Sequence, residues 1–222
     1  MPTPRDGYFL ADGTKVPGTT TILGRFKESG ALLRWAWKRG KDFPNEELYA
    51  TRDEAGNVGT AAHAMVEARI DGEDPDARQE LLALDDAGRI KARNAFGMYE
   101  AWARMSNLVI VEQEMLLVSE KYRFGGTPDA IGTVNGVLCL VDWKTSNGVY
   151  ADYLLQVAAY RLLWEENHAD RPLIGGFHLC RFSKEYGDFA HHFYSELDSA
   201  REMFIHLRAA YAFDAELKKR AA

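Results

Sequence analysis

Asp129, Asp142 and Lys144 are the residues whose types and spacing best fit a chemical role. They fall in two stretches, Gly-Gly-Thr-Pro-Asp at 125–129 and Val-Asp-Trp-Lys-Thr-Ser at 141–146. Between them stands Asn135-Gly136, the strongest short-range signal for a two-residue β-hairpin. Asp129 is six residues before Asn135 and Asp142 is six after Gly136. A hairpin closed there brings both carboxylates to one end of a sheet. Residues two apart on a strand share a face, so Asp142 and Lys144 point the same way. Paired carboxylates offer hard oxygen donors to Mg²⁺ or Mn²⁺, which bind through one or two carboxylates, waters and a substrate phosphate. A protonated lysine cannot ligate, but it can hold an attacking water or stabilise charge growing on a phosphate. The competing reading is a cross-strand ion pair at a sheet end. Against it stands the apolar run 137–141, which delivers Asp-x-Lys straight out of a buried strand. Buried charges are costly unless paired or metal-bound.

The surrounding chain must supply the elements that hold these residues. Asp12-Gly13 between two short runs, 8–10 and 14–16, predicts a small N-terminal hairpin, and Thr19-Thr20-Thr21 predicts a helix N-cap. Helices are expected over 31–41, 46–51, 57–70, 77–87 and 89–105, with 71–76 as a surface linker. The periodicity then changes to that of strands over 108–119, 126–134 and 137–143. A helix over 153–166, strands over 175–182 and 189–194 around a turn at 185–188, and a closing helix over 197–219 complete the chain. This order predicts an α/β fold with a mixed sheet and a helix-rich N-terminal part.

Composition bounds the function. The chain has 222 residues, 46% hydrophobic and 27% charged, which excludes a largely disordered, collagen-like or coiled-coil protein. No apolar run approaches the ~20 residues needed to cross a bilayer, and the N-terminus has no apolar signal core. A net charge of −6 argues against coating nucleic acid by bulk charge, though not against a local basic patch. Cys139 and Cys180 are the only cysteines, too few for an all-cysteine zinc site or a four-cysteine iron–sulfur cluster. A reducing, cytoplasmic setting is expected. The chain holds no G-x-x-x-x-G-K-[ST] loop, hence no helicase motor.

Further residues are weaker candidates. Gln156 and Tyr160 are one turn apart on a helix face, but taken alone they read first as a solvated glutamine and a core-edge tyrosine. His63 sits on an alanine-rich helix turn and reads as either a hydrogen-bonded core residue or a ligand. Glu67, one turn on, could orient its ring or lie exposed. Glu114 is an additional acid in the strand before the hairpin. His191-His192 should point to opposite faces of a strand, so no chelating pair is expected. Basic residues cluster at Arg34, Lys38, Arg39 and Lys41 around Trp35 and Trp37, at Arg89, Lys91 and Arg93, and at Lys121 and Arg123 beside Tyr122 and Phe124. Cations with aromatics suit a single-strand channel, although Trp35 and Trp37 read first as core residues.

Taken together, Pro128-Asp129, twelve residues, then Asp142-x-Lys144 resembles the PD-(D/E)xK nuclease signature. Gln156-Val-Ala-Ala-Tyr160 is similar to the Q-x-x-x-Y motif of its RecB-like branch, and Gly59-Thr-Ala-Ala-His63 to that branch's upstream G-x-x-x-H. The segment 138–146 with 155–160 resembles mitochondrial genome maintenance exonucleases and related phage and bacterial enzymes. The resemblance covers about 59–194, with a weaker match at 16–23. It implies a restriction-endonuclease-like mixed β-sheet core flanked by helices, one nuclease domain over 1–222 with a mainly helical part at 1–105 and a catalytic sheet with closing helices at 106–222. It implies a Mg²⁺-dependent DNA exonuclease, Mn²⁺ substituting, without an iron–sulfur cluster, acting on DNA with a free end, single-stranded by preference, in replication, recombination or repair. Asp129 and Asp142 would ligate the metal with the Trp143 backbone carbonyl, His63 would be a ligand or stand close behind one, and Lys144 would position the water. Gln156 and Tyr160 would contact the DNA backbone, with Lys121 and Arg123 as further substrate contacts. The helical N-terminal part could arch over the site and thread a strand end. A bacterial or phage-encoded protein is expected, a processed mitochondrial one disfavoured. A single-strand-annealing or replication protein is a partner class the resemblance leaves open. A flap or structure-specific endonuclease and a non-catalytic nucleic-acid-binding subunit remain alternatives.

Overall fold

The computed structural model describes residues 6–27, 30–44, 50–183 and 186–221, with side chains except at 31, 32, 35 and 50–57. Most of the helix expected over 46–51 and the side chain of Trp35 lie outside these residues, as does Glu185 of the late turn.

The chain opens with a hairpin, β1 (Tyr8–Phe9) and β2 (Lys15–Val16), then α1 (Thr19–Phe26), α2 (Gly30–Asp42) and α3 (Ala50–Asp71). A short 3₁₀ turn at Pro75–Ala77, α4 (Gln79–Leu82) and α5 (Asp86–Met105) follow. The second half holds β3 (Val109–Gln113), β4 (Leu117–Ser119), β5 (Phe124–Gly126), β6 (Ala130–Val134) and β7 (Val137–Thr145). After these come α6 (Ala151–Asn167), β8 (Phe177–Phe182), β9 (Phe189–Tyr194) and α7 (Asp198–Ala221).

Five strands form a mixed sheet in the order β3-β6-β7-β8-β9. The β6–β7 hairpin turns on Asn135 and Gly136, both at positive φ (50° and 80°), the conformation a type I′ turn requires. This turn pins the register that pairs Ala130 with Val141. The parallel partner of β7 is β8, and α6 is the crossover between them. Helices cover both faces, which is why β7 reads as a nearly continuous apolar run. Cys139, Val141 and Trp143 enter one core with Ala61, Met65 and Phe96 of α3 and α5. Leu140 enters the other with Val157, Leu163 and Trp164 of α6 and Phe204 of α7. This is a mixed α/β fold, a five-stranded sheet flanked by helices, in keeping with the restriction-endonuclease-like expectation.

Several expected elements are broken where the sequence reads as continuous. The strand expected over 108–119 is two, β3 and β4, in different sheets. Glu114 takes a left-handed φ of 47°, and its N–H donates to the Asp129 carbonyl at 3.1 Å, the last rung of that ladder. Pro128 has no N–H to extend it. The strand expected over 126–134 is likewise split into β5 and β6 by Thr127-Pro128-Asp129. The helix expected over 77–87 is only the 3₁₀ turn and α4, whereas α3 begins earlier than position 57 and α5 earlier than 89. Thr19-Thr20-Thr21 does not cap α1 with a side chain. Gly18 is the cap residue, and the Thr19 hydroxyl donates instead to the Gly125 carbonyl at 3.0 Å. Trp37, expected in the core, is 70% exposed with Lys41 over its ring.

The N-terminal hairpin is stitched onto β5. Gly125 N–H donates to the Pro17 carbonyl at 3.0 Å, and Gly18 bridges Gly125 in parallel. Tyr8 packs against Gly125, where an added Cβ would fall 2.2 Å from the tyrosine Cγ. Gly125→Ala is therefore expected to unseat the hairpin and destabilise the protein by roughly 1–3 kcal/mol, read by urea denaturation. An unchanged midpoint would show that Tyr8 does not need this contact.

Candidate active site

The register that pairs Ala130 with Val141 sets Asp129 opposite Asp142, just beyond the end of β6. Ile131 and Leu140 face the α6 core, so side chains in step with them, Asp129 and Asp142, point the same way. Asp142 is 0% and Asp129 3% exposed. Asp129 Oδ2 accepts the Trp143 N–H at 2.7 Å, which ties its carboxylate across to β7. Lys144, two residues on, reaches back to Asp142 Oδ2 at 2.5 Å, and its Nζ also lies 5.4 Å from the Tyr153 ring centroid.

Asp129, Trp143, Lys144 and Tyr153 border an open pocket of about 270 Å³, lined also by Tyr8, Thr20, His63, Thr127, Thr145, Gln156 and Tyr160, while Asp142 is fully buried beside Lys144. Gln156 Nε2 donates to the Tyr160 hydroxyl at 2.7 Å, so the expected pair does share one face of α6, beside the carboxylates. His63 arrives from the other layer. Gly59, one turn earlier, packs so closely on β7 that a Cβ there would stand 2.8 Å from Thr145 Cβ. That approach sets the His63 ring 5.9 Å from the Trp143 ring. The glycine of G-x-x-x-H thus lets the helix come near enough for the histidine to reach the pocket. Glu67 Oε1 lies 3.4 Å from His63 Nε2, while its other oxygen faces Arg78 at 3.5 Å.

Burial drives the electrostatics. It pushes the Asp142 carboxyl up to about 7, helped by the like charge of Asp129 and opposed by Lys144. Asp129 is raised by burial as well, against the pull of Lys144 and the Trp143 N–H. Lys144 is itself held above its ordinary range: burial would lower it, but Asp142 and Asp129 outweigh that cost. His63 is lowered to about 4, chiefly by burial and further by the Lys144 charge, so its ring is neutral at physiological pH and open to a metal. Glu67 is raised by burial and by Glu114 nearby.

Asp142 Oδ1 is buried with no hydrogen-bond partner, and His63 Nε2 has only the 3.4 Å approach of Glu67 Oε1. Such atoms are costly in a native protein, and a cation beside the carboxylates would answer the cost. Among the described residues no three His, Cys, Asp or Glu side chains form a cage by themselves. A magnesium site does not need one, since waters and substrate phosphate complete it. The donor set fits a hard divalent ion.

Not every expected residue gathers here. The Lys121 N–H is bound by Glu166, near the far end of α6 and roughly 15 Å along the helix from Gln156. Arg123 offers its carbonyl to Arg208. Neither lines the pocket. Glu114 is exposed and reaches the site through its backbone. His191 pairs with His178 at 2.9 Å and stacks on Trp102, away from the pocket. Tyr8, Thr20, Thr127 and Tyr153 line the pocket without having been singled out. Tyr153 stands three residues before Gln156 on the same helix face, a spacing that marks it. Tyr8 carries no such signal, because its hydroxyl meets Thr127 Oγ1 (3.0 Å) across 119 residues.

Comparison with known proteins adds a family. The model of the PD-(D/E)XK nuclease superfamily matches residues 31–220. Twenty-one solved chains resemble this one. A protein of Eubacterium rectale, named as a candidate exonuclease, shares 11% identity with a TM-score of 0.46 over 68% of this chain and 63% of its own, so the chain spans less than two thirds of that protein's length. The protein designated SSO0001 shares 16% identity with a TM-score of 0.32, over 81% of this chain and 84% of its own. No curated sequence matches. With a family match from α2 to the end of α7, and with Asp129 and Lys144 in one pocket and Asp142 buried beside the lysine, the chain belongs to the PD-(D/E)XK nuclease superfamily.

Proposed function

We propose that this protein is a Mg²⁺-dependent deoxyribonuclease that hydrolyses phosphodiester bonds from DNA ends, of the RecB-like exonuclease type, working in DNA replication, recombination or repair. The observation that carries the reading is the buried pair Asp129 and Asp142, set opposite each other with Lys144 on the same face. Asp129, Asp142, His63 and the Trp143 backbone carbonyl would hold the ion. When bound, a divalent cation supplies Lewis acidity, lowering the pKa of a water and polarising a phosphoryl oxygen. Mn²⁺ would serve in its place.

The chain's own groups do the rest. Asp129 lines the pocket and is held there by the Trp143 N–H. Lys144, steadied between Asp142 and the Tyr153 ring, presents Nζ–H donors to a water or to a phosphate oxygen. Gln156 and Tyr160 form a polar wall on which a strand's phosphates can be registered. Attack by water on phosphorus breaks the P–O3′ bond and leaves a 5′-phosphate and a 3′-hydroxyl.

Three outcomes are expected. Purified protein with Mg²⁺ should shorten end-labelled linear single strands and leave a circular single strand intact, and EDTA should stop it. Cutting of the circle would make it an endonuclease, and no cutting under any metal would favour a binding subunit. Asp129→Ala, Asp142→Ala and Lys144→Ala should each lower the rate by on the order of 10²-fold or more; near wild-type rates in any one would break the assignment. The third outcome follows from Asp142. Its folded value, about 7, lies above the unfolded value of 3.8, so its contribution to stability is full below pH 4 and lost as pH rises through 7. His63, lowered to about 4, acts oppositely, its contribution lost as pH falls through that range. In EDTA, Asp142→Asn should therefore gain stability relative to wild type between pH 5 and 8. Mn²⁺ at about 100 times its dissociation constant should raise the wild-type Tm by roughly 5 °C or more at pH 8, less at pH 5.5, and not at all in Asp142→Asn. Equal metal shifts in both proteins would place the ion elsewhere.

A further inference from the structure

The pocket rim beside α6 is aromatic, and only part of it serves Lys144. Tyr153 lines the pocket and carries Lys144 Nζ near its ring. Tyr150, the residue preceding the helix, packs on Tyr153 with ring centroids 5.5 Å apart and planes at 75°. Its other neighbour is the loop after β7, where a Cβ on Gly148 would come within 3.8 Å of the Tyr150 hydroxyl. That loop is itself fixed, because Ser146 Oγ donates to the Gly148 carbonyl at 2.7 Å. The ring thus packs on Tyr153 and stands close to that loop, yet 54% of the residue remains exposed.

A large aromatic side chain kept open to water, fixed in place and one ring away from Lys144 is suited to a flat apolar partner. A strand whose phosphate sits at Asp129, Asp142 and Lys144 presents such a partner in the neighbouring nucleobase. Stacking on protein rings tolerates any base, because every base has a π-face. In a duplex both faces of a base are covered by its neighbours, so a ring can stack only on an unpaired or frayed one. Resting on the nuclease reading above, we propose that Tyr150 is a stacking platform for the nucleobase adjoining the bound phosphate, and that the strand therefore enters the site unpaired.

Binding tests this without cutting. Fluorescence anisotropy in EDTA is measured with a labelled single-stranded oligonucleotide, a matched duplex and a strand of the same length built from abasic nucleotides. Tyr150→Ala and Tyr150→Leu should each weaken binding of the normal strand about 10-fold, while Tyr150→Phe, which keeps the flat ring, restores it. On the abasic strand wild type should bind as weakly as Tyr150→Ala, and the duplex should bind wild type more weakly than the single strand. Unchanged affinity in Tyr150→Ala, or an equal loss on the abasic strand, would overturn the proposal. Its failure is separable from that of the nuclease reading: an inert protein with Mg²⁺ that still shows the base-dependent loss would keep the platform and lose the chemistry.

Discussion

Two carboxylates meet across β6 and β7 at a point covered from both layers, and most of the surrounding architecture answers the cost of that meeting. Like charges so close and so deeply buried cannot both ionise without a counter-charge. Lys144 supplies one from the same strand face, and its own elevated affinity for a proton is the reciprocal of what the acids gain from it. The Trp143 N–H supplies a dipole to Asp129. What is left over is a buried oxygen on Asp142 without a hydrogen-bond partner, the atom the proposed cation would engage.

The sheet makes this arrangement affordable because β7 is a central strand. With β6 and β8 on either side, its backbone groups are satisfied by ladders, leaving side chains as the only polar demand. The two layers then divide the work. The α6 layer supplies Gln156, Tyr160 and Tyr153, polar or aromatic groups on one turn-spaced face. The α3 layer supplies His63, at the cost of a glycine where helix and strand touch.

How much of this was legible depended on sequence distance. Asp129 and Asp142 were legible as partners because Asn135-Gly136 sets the register within one hairpin, and local geometry carries the six residues on either side. Gln156 with Tyr160 and Gly59 with His63 were legible because one helical turn is a fixed spacing. The break at Glu114 was not, since a glutamate gives no hint of a left-handed φ, and the apolar residues on both sides read as one strand. The proline at 128 did carry the matching hint. Trp37 was misplaced because composition marks tryptophan as core, while its surroundings decide. The Thr19 hydroxyl and the Tyr8 ring were beyond reach for another reason: each finds its partner in the Gly125–Thr127 segment, more than a hundred residues away.

That separation has a consequence for the growing chain on the ribosome. Tyr8 is made early, yet its hydroxyl partner Thr127 lies 119 residues later. At about 5–20 residues per second, synthesis leaves the hairpin without its seat for roughly 6–24 s. During that interval its aromatic ring is exposed and the pocket lacks a wall. The hairpin can dock only once β5 has been made, and Asp129 and Asp142 meet only after the β6–β7 hairpin has itself been made.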